Sequence, residues 1–195
     1  MVYELANPKA PRDEWQRKPL ANAYVVLAWW IHIPGPGHAT TSCRHNEIAR
    51  SNDKGEYVIG GPGFLTSSLA RASVLAYAPG MERVDWPWAG TAEAIREVSM
   101  ARSTLSPDER LNFLMLFDNP GCYGEEISDP QGVLKAYREA LAAEAGALNP
   151  VTQVGKNIKL GLEARVKPPA GTVMRIEAVP ADRRGLVRGA TPEPK

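Results

Sequence analysis

A polar turn followed by alternating residues, Ser-Asn-Asp-Lys-Gly-Glu-Tyr-Val-Ile at positions 51–59, is the stretch that decides the fold. The side chain of Asp53 can hydrogen-bond to its own backbone, and Gly55 can adopt a positive φ; both features favour a tight turn. Tyr57 and Ile59 would then point to one face of a sheet, because side chains alternate along a strand. The stretch therefore predicts a β-turn that begins a strand.

Runs of β-branched and aromatic residues lie on both sides of this turn and are separated by glycine and proline. They predict strands over residues 24–33, 39–50, 56–60 and 73–78. Strands with this spacing are typical of a β-sandwich. Trp29 and Trp30 are neighbours on the first of these strands, so they should face opposite ways and both faces of that strand should be covered.

Two helices are predicted after residue 102. Residues 106–109, Ser-Pro-Asp-Glu, form a capping box with proline at the first helical position, and Asp-Pro at 129–130 opens a second helix. Asn-Pro pairs at 119–120 and 149–150 end the two helices. Apolar residues recur at helical spacing at Leu111, Leu114, Met115 and Phe117 in the first helix, and at Val133, Tyr137, Leu141, Ala145 and Leu148 in the second. We expect a helical insertion at about residues 104–149.

The hydrophobic period returns to two near residue 157. Ile158, Leu160 and Leu162 alternate with polar residues, which predicts a half-buried strand up to residue 166. Residues 167–171 should turn the chain, and 172–179 should return as the second strand of a final β-hairpin.

The two ends of the chain have little apolar content that could pack. Residues 1–18 are expected to form an N-terminal arm, and residues 181–195 a flexible tail rich in arginine, glycine and proline. A single domain over residues 19–180 is expected between them.

Three segments together carry a resemblance to a known family. The strand at residues 19–29, the Asp-x-Gly-x-Tyr-x-Ile turn and strand, and the Val-x-Ala-Tyr-x-Pro-Gly strand end at 74–80 resemble the carboxypeptidase regulatory-like domains, which are small prealbumin-like (transthyretin-like) β-sandwiches. Arg-Leu-Asn-Phe-Leu at 110–114 resembles an Arg-Leu-x-x-Leu element of bacterial members. The resemblance implies a mainly β fold, a sandwich of about seven strands with an inserted two-helix hairpin, in an accessory, adhesive or binding role.

Charge and hydropathy exclude several function classes. The chain of 195 residues has 23 Lys and Arg against 22 Asp and Glu, a formal net charge of +1 that gives no basic surface for nucleic acid. No apolar run is as long as the roughly eighteen residues of a membrane span. Residues 1–18 lack the pattern of a secretory signal. Since the resemblance implies export, we expect a periplasmic or extracellular protein whose leader was removed, with a cytoplasmic location as the alternative.

All three histidines lie close together in the sequence with a cysteine among them. His32, His38, Cys43 and His45 would converge on one hairpin and could hold copper or zinc. Their spacing fits no known metal signature, and a chance grouping of three histidines within one hairpin explains it better, so no metal or other cofactor is predicted. His-x-Glu at 45–47 lacks the Pro-Cys-x-x-Cys of zinc deaminases. No nucleophile motif or nucleotide loop occurs, so no catalytic residue and no enzyme activity are expected.

Tryptophan and cysteine offer two further candidate features. Trp86 and Trp88 flank a proline in a predicted loop, where exposed indoles could contact a sugar or a protein, although tryptophans more often cover the core. Cys43 and Cys122 are the only cysteines, and an even count in a cysteine-poor chain predicts a disulfide formed in an oxidising compartment. Two reduced cysteines in a cytosolic protein are the alternative.

The sequence thus predicts a non-catalytic extracytoplasmic binding or structural module with a protein or carbohydrate partner. One alternative is a metal-binding envelope protein or metalloenzyme that uses His32, His38 and His45. Another is an inhibitor or immunity-type protein for a partner enzyme. The sequence does not predict an oligomeric state.

Overall fold

The computed structural model describes residues 1–34, 39–60, 70–84, 97–118 and 127–166. These ranges contain seven strands and three α-helices. The elements are β1 (Val2–Leu5), β2 (Arg17–Pro19), β3 (Tyr24–Pro34), β4 (Ala39–Arg50), β5 (Ala70–Tyr77), β6 (Met81–Arg83), β7 (Val98–Arg102), α1 (Pro107–Asp118), α2 (Leu134–Ala147) and α3 (Gln153–Ala164).

The strands form two sheets. A three-stranded sheet has the order β4-β3-β5 and is antiparallel throughout. A four-stranded sheet has the order β2-β1-β7-β6, in which β1 and β7 are parallel. The long strands β3, β4 and β5 confirm three of the four predicted strands.

Strand β3 is buried on both faces because its two rows of side chains enter different cores. Ala23 and Val25 pack with residues of the four-stranded sheet, such as Val98. Tyr24 and Val26 point the other way and pack against the three helices. The molecule therefore has three layers, four-stranded sheet, three-stranded sheet and helices. The two sheets of the expected fold are present, but the structure is mixed α/β and not mainly β, and the described residues form three α-helices where two were expected.

The helix α3 replaces the first strand of the predicted final hairpin. Ile158 and Leu162 are four residues apart, so they share a face in a helix as well as in a strand, and the alternating pattern did not separate the two. The Thr152 hydroxyl accepts a hydrogen bond from the Gly155 N–H at 3.0 Å and caps α3. Leu160, expected in the core, is 63% exposed. The second expected strand, 172–179, lies outside the described residues.

The N-terminus is a strand and not a free arm, which corrects the expectation for residues 1–18. Val2 is fully buried, and β1 lies between β2 and β7. The Val2 N–H donates to the Gly55 carbonyl at 2.7 Å, so β1 is fixed to the turn at residues 51–59. The expected C-terminal tail, 181–195, lies outside the described residues.

The turn at residues 51–59 forms, but the strand after it does not. Gly55 has φ +71°, as the turn requires. The side chain that accepts backbone hydrogen bonds here is that of Asn52, from Lys54 and Glu56, and not that of Asp53 as expected. Residues 56–60 pair with no strand of the described structure, although Tyr57 and Ile59 both pack against the core between the sheets. The predicted alternation of side chains is therefore confirmed, and the predicted strand over residues 56–60 is wrong.

The two predicted helices are present as α1 and α2. The capping box forms, since the Ser106 N–H donates to Glu109 Oε2 at 2.9 Å and the Glu109 N–H donates to Ser106 Oγ at 3.4 Å. Hydrogen bonds from Ser106 lower the pKa of Glu109. Leu111, Leu114 and Phe117 are buried as expected, whereas Met115 is exposed.

A buried ion pair joins α1 and α2 to the turn between β5 and β6. Arg110 Nε lies 2.8 Å from Glu144 Oε1, and Arg110 Nη1 donates to the Met81 carbonyl at 2.6 Å. The Tyr77 hydroxyl and the Gly80 N–H donate to the same carboxylate at 2.8 and 3.0 Å. Burial, followed by the charge of Glu144, raises the pKa of Tyr77 above its usual range. These contacts hold the helical layer on the sheet.

Candidate functional site

The helical layer carries a groove formed by two adjoining hollows of about 340 and 370 Å³ that share Arg138 and Arg165. We call this the helical groove. The first hollow is lined also by Asp118, Leu141 and Leu162, and the second by Asp129, Leu134, Lys135, Glu139 and Val166. The groove therefore combines leucine side chains with charged ones.

The floor of the groove is fixed by core residues on α2 and α3. Leu141 and Leu162 are each 4% exposed and belong to the core under the helices. Tyr137 precedes Arg138 on α2, and its hydroxyl donates to the Phe117 carbonyl at 2.7 Å. Burial raises the pKa of Tyr137 well above its usual value. Because Tyr137 is fixed in this way, Arg138 on the exposed side of α2 has a defined place beside the groove.

The acidic side chains of the groove already have partners. Asp118 receives two hydrogen bonds from Arg165, both at 3.0 Å, and this interaction raises the pKa of the guanidinium. The Asp129 carboxylate accepts the N–H groups at the start of α2, at 2.8 and 2.9 Å. Glu139 lies 3.8 Å from Lys135 Nζ. Within the described ranges the Arg138 guanidinium makes no ion pair and donates no hydrogen bond, so it is available to a ligand.

The metal candidates fall only partly within the structure. Cys43 and His45 lie on β4 opposite Trp30 and Trp29 of β3, at a point where the register shifts. His45 Nε2 lies 3.3 Å from Glu47 Oε2, and Glu47 also accepts the N–H of Gly60 at 2.9 Å. This carboxylate therefore fixes the segment that follows the turn.

Several predicted site residues lie outside what the structure describes. The side chains of His32 and His38 lie outside the described part of the structure. In the described part of the chain, no group of three or more potential metal ligands occurs. Trp86, Trp88 and Cys122 also lie outside the described residues. Cys43 is not a free cysteine, but the predicted bridge to Cys122 stays a prediction.

The helical groove was not found from the sequence. No sequence pattern predicted a role for Arg138, and Arg165 was placed on a strand where the structure has the end of α3. A signal was present, because Leu141 lies three residues after Arg138 and Leu162 three residues before Arg165, which places each arginine beside a buried leucine on a helix. The proximity of the two helices could not be read from that spacing.

Comparisons of the chain with protein-family models, with curated proteins and with solved structures found no match. Among the described helices, none has the length and apolar character needed to cross a bilayer.

Proposed function

We propose that this protein is a non-catalytic binding module that holds a protein partner in the helical groove. The observation that carries the proposal is the pair of hollows that meet at Arg138 and Arg165 over a leucine floor. Concave sites with an apolar floor and a few polar groups are typical of ligand-binding surfaces. Arginine is also enriched where proteins bind one another.

The chemistry of the groove favours binding over catalysis. Arginine stays protonated at all physiological pH values, so Arg138 and Arg165 are unsuited to proton transfer. The carboxylates of Asp118 and Asp129 are engaged by a guanidinium and by backbone N–H groups. A general acid or base has to be available to exchange a proton with a substrate.

A protein partner suits the groove better than a sugar does. Sugar rings are usually held by stacking on aromatic faces, and the side chains described around the groove are leucine, valine and charged residues. Leucine and arginine together complement a peptide segment, which offers both apolar side chains and polar groups.

The proposal keeps two finer expectations from the sequence. We propose that the two sheets correspond to a prealbumin-like β-sandwich, supported by the core that they share. We also propose a periplasmic or extracellular location, supported by the observation that Cys43 is not a free cysteine.

A photo-crosslinking amino acid placed in the groove tests the binding function. It would replace Lys135, whose side chain is 88% exposed, in the full chain within its native cells. Lys18 on β2 is the matched control, because it is an exposed lysine of the four-stranded sheet. We expect a discrete protein adduct from position 135 and none from position 18. The same adducts from both positions, or none from either, would contradict the proposal.

A further inference from the structure

We propose that Arg138 is the anchor for a carboxylate carried by the partner, so that the segment bound in the helical groove is acidic and partly apolar. This inference rests on the binding function proposed above and names the chemistry of the ligand.

The charged side chains along the groove have partners in the described part of the chain, except for Arg138. Arg165 is occupied by the bidentate contact to Asp118, and Lys135 lies next to Glu139. Arg138 lines both hollows and makes no such contact with any residue that the structure describes. A carboxylate can accept two parallel hydrogen bonds from one guanidinium, which is the strongest contact that this side chain makes with a peptide.

Apolar surface lies on either side of Arg138. Leu141 and Leu162 form the floor of one hollow, while Leu134 and Val166 line the other. A segment that reaches both hollows therefore passes apolar surface, then Arg138, then apolar surface again. Leucine or similar residues on both sides of one glutamate or aspartate match this order.

The charges along the groove balance one another. Its lining contains three basic and three acidic side chains, so it has no strong positive field. Polyanions such as nucleic acid are held by many cations at once, with a steep dependence on salt. A single carboxylate at Arg138 requires one specific contact, and the affinity should depend only weakly on ionic strength.

A pair of defined peptides tests the anchor on the full chain. One is a terminally blocked, fluorescent hexapeptide of alternating leucine and glutamate, and the other has glutamine in place of each glutamate. Binding is measured by fluorescence anisotropy for the wild type, for Arg138→Gln and for Arg102→Gln. The last variant is the charge-matched control, because Arg102 is 78% exposed on β7 in the four-stranded sheet.

We expect the wild type and Arg102→Gln to bind the glutamate peptide about ten-fold more tightly than the glutamine peptide, the difference that a charge-assisted hydrogen bond produces. Arg138→Gln should lose this preference and keep its melting temperature, since Arg138 is exposed. Equal affinity of the wild type for both peptides, or a preference that survives in Arg138→Gln, would overturn the anchor.

Inorganic phosphate supplies a further arm of the same experiment. Displacement of the glutamate peptide by phosphate at concentrations where acetate has no effect would show a phosphate site and overturn the carboxylate assignment. If the crosslink at position 135 is obtained but the peptides show no preference for glutamate, the binding function stands and the carboxylate anchor falls.

Discussion

The turn at Gly55 should tolerate a methyl group far less than the turn at Gly80, although both glycines have nearly the same backbone conformation. Their φ angles are +71° and +70°. A Cβ atom at Gly80 would meet nothing within 4 Å, whereas a Cβ at Gly55 would collide with the Val2 carbonyl oxygen and lie 3.2 Å from the Leu20 nitrogen. The pair Gly55→Ala and Gly80→Ala therefore separates the strain of a positive φ from the collision.

The loss of folding free energy in each variant follows from the strain of the positive φ and, in Gly55→Ala, from the collision as well. A left-handed conformation costs alanine about 1 kcal/mol or slightly more, and this applies to both variants. In Gly55→Ala the β1 backbone must also move. That movement weakens the hydrogen bonds from the Val2 N–H to Gly55 and from the Leu20 N–H to Val2, at 2.7 and 2.9 Å, each worth about 1 kcal/mol. We expect a loss of about 1 kcal/mol for Gly80→Ala and about 3 kcal/mol for Gly55→Ala.

Urea denaturation and thermal unfolding followed by circular dichroism measure both variants. For a chain of this length a difference of about 2 kcal/mol lowers the melting temperature by roughly 4–8 °C more in Gly55→Ala than in Gly80→Ala. Equal losses in the two variants would refute the reasoning, because they would mean that Val2 does not lie against the turn. A free N-terminal arm would give that result.

Two further predictions concern the buried ion pair and the predicted disulfide. Glu144→Gln should lower the free energy of unfolding by about 3 kcal/mol in urea denaturation, because it leaves Arg110 buried without its counter-ion. The double variant with Arg110→Met should lose less than the sum of the two single losses, and additivity would contradict the coupling. The predicted bridge between Cys43 and Cys122 would close a loop of about eighty residues and contribute on the order of 4 kcal/mol. Intact mass after alkylation should show no added groups before reduction and two after it, and two groups before reduction would exclude the bridge.

The sequence by itself determined those elements whose signals are local. Residues 106–109 contain the whole capping box of α1, and the hydrogen bonds that form it join residues three apart. At the turn, Gly55 supplies the positive φ, and the Asn52 side chain accepts hydrogen bonds from residues two and four positions later. The strand β3 is long and rich in β-branched and aromatic residues, which favour a strand.

Only the tertiary structure decided between helix and strand at α3. The hydrophobic pattern from Ile158 to Leu162 satisfies both periods, so beyond the local cap at Thr152 the choice depends on contacts with the other helices. Asp108 on α1 accepts hydrogen bonds from the N–H groups of Val151 and Thr152 and from the Thr152 hydroxyl, which positions the start of α3. These hydrogen bonds, the hydroxyl first, lower the pKa of Asp108. A contact between residues this far apart in the chain leaves no periodic trace in the sequence.

The burial of β1 and the helical groove depended on the tertiary structure for the same reason. Val2 is buried because β7 and the turn at Gly55 surround it, not because its own neighbours in the sequence are apolar. Arg138 and Arg165 share a groove because α2 and α3 pack on one core. Local signals specify which segments become helices and strands, whereas the free energy of burying them together specifies which distant residues meet.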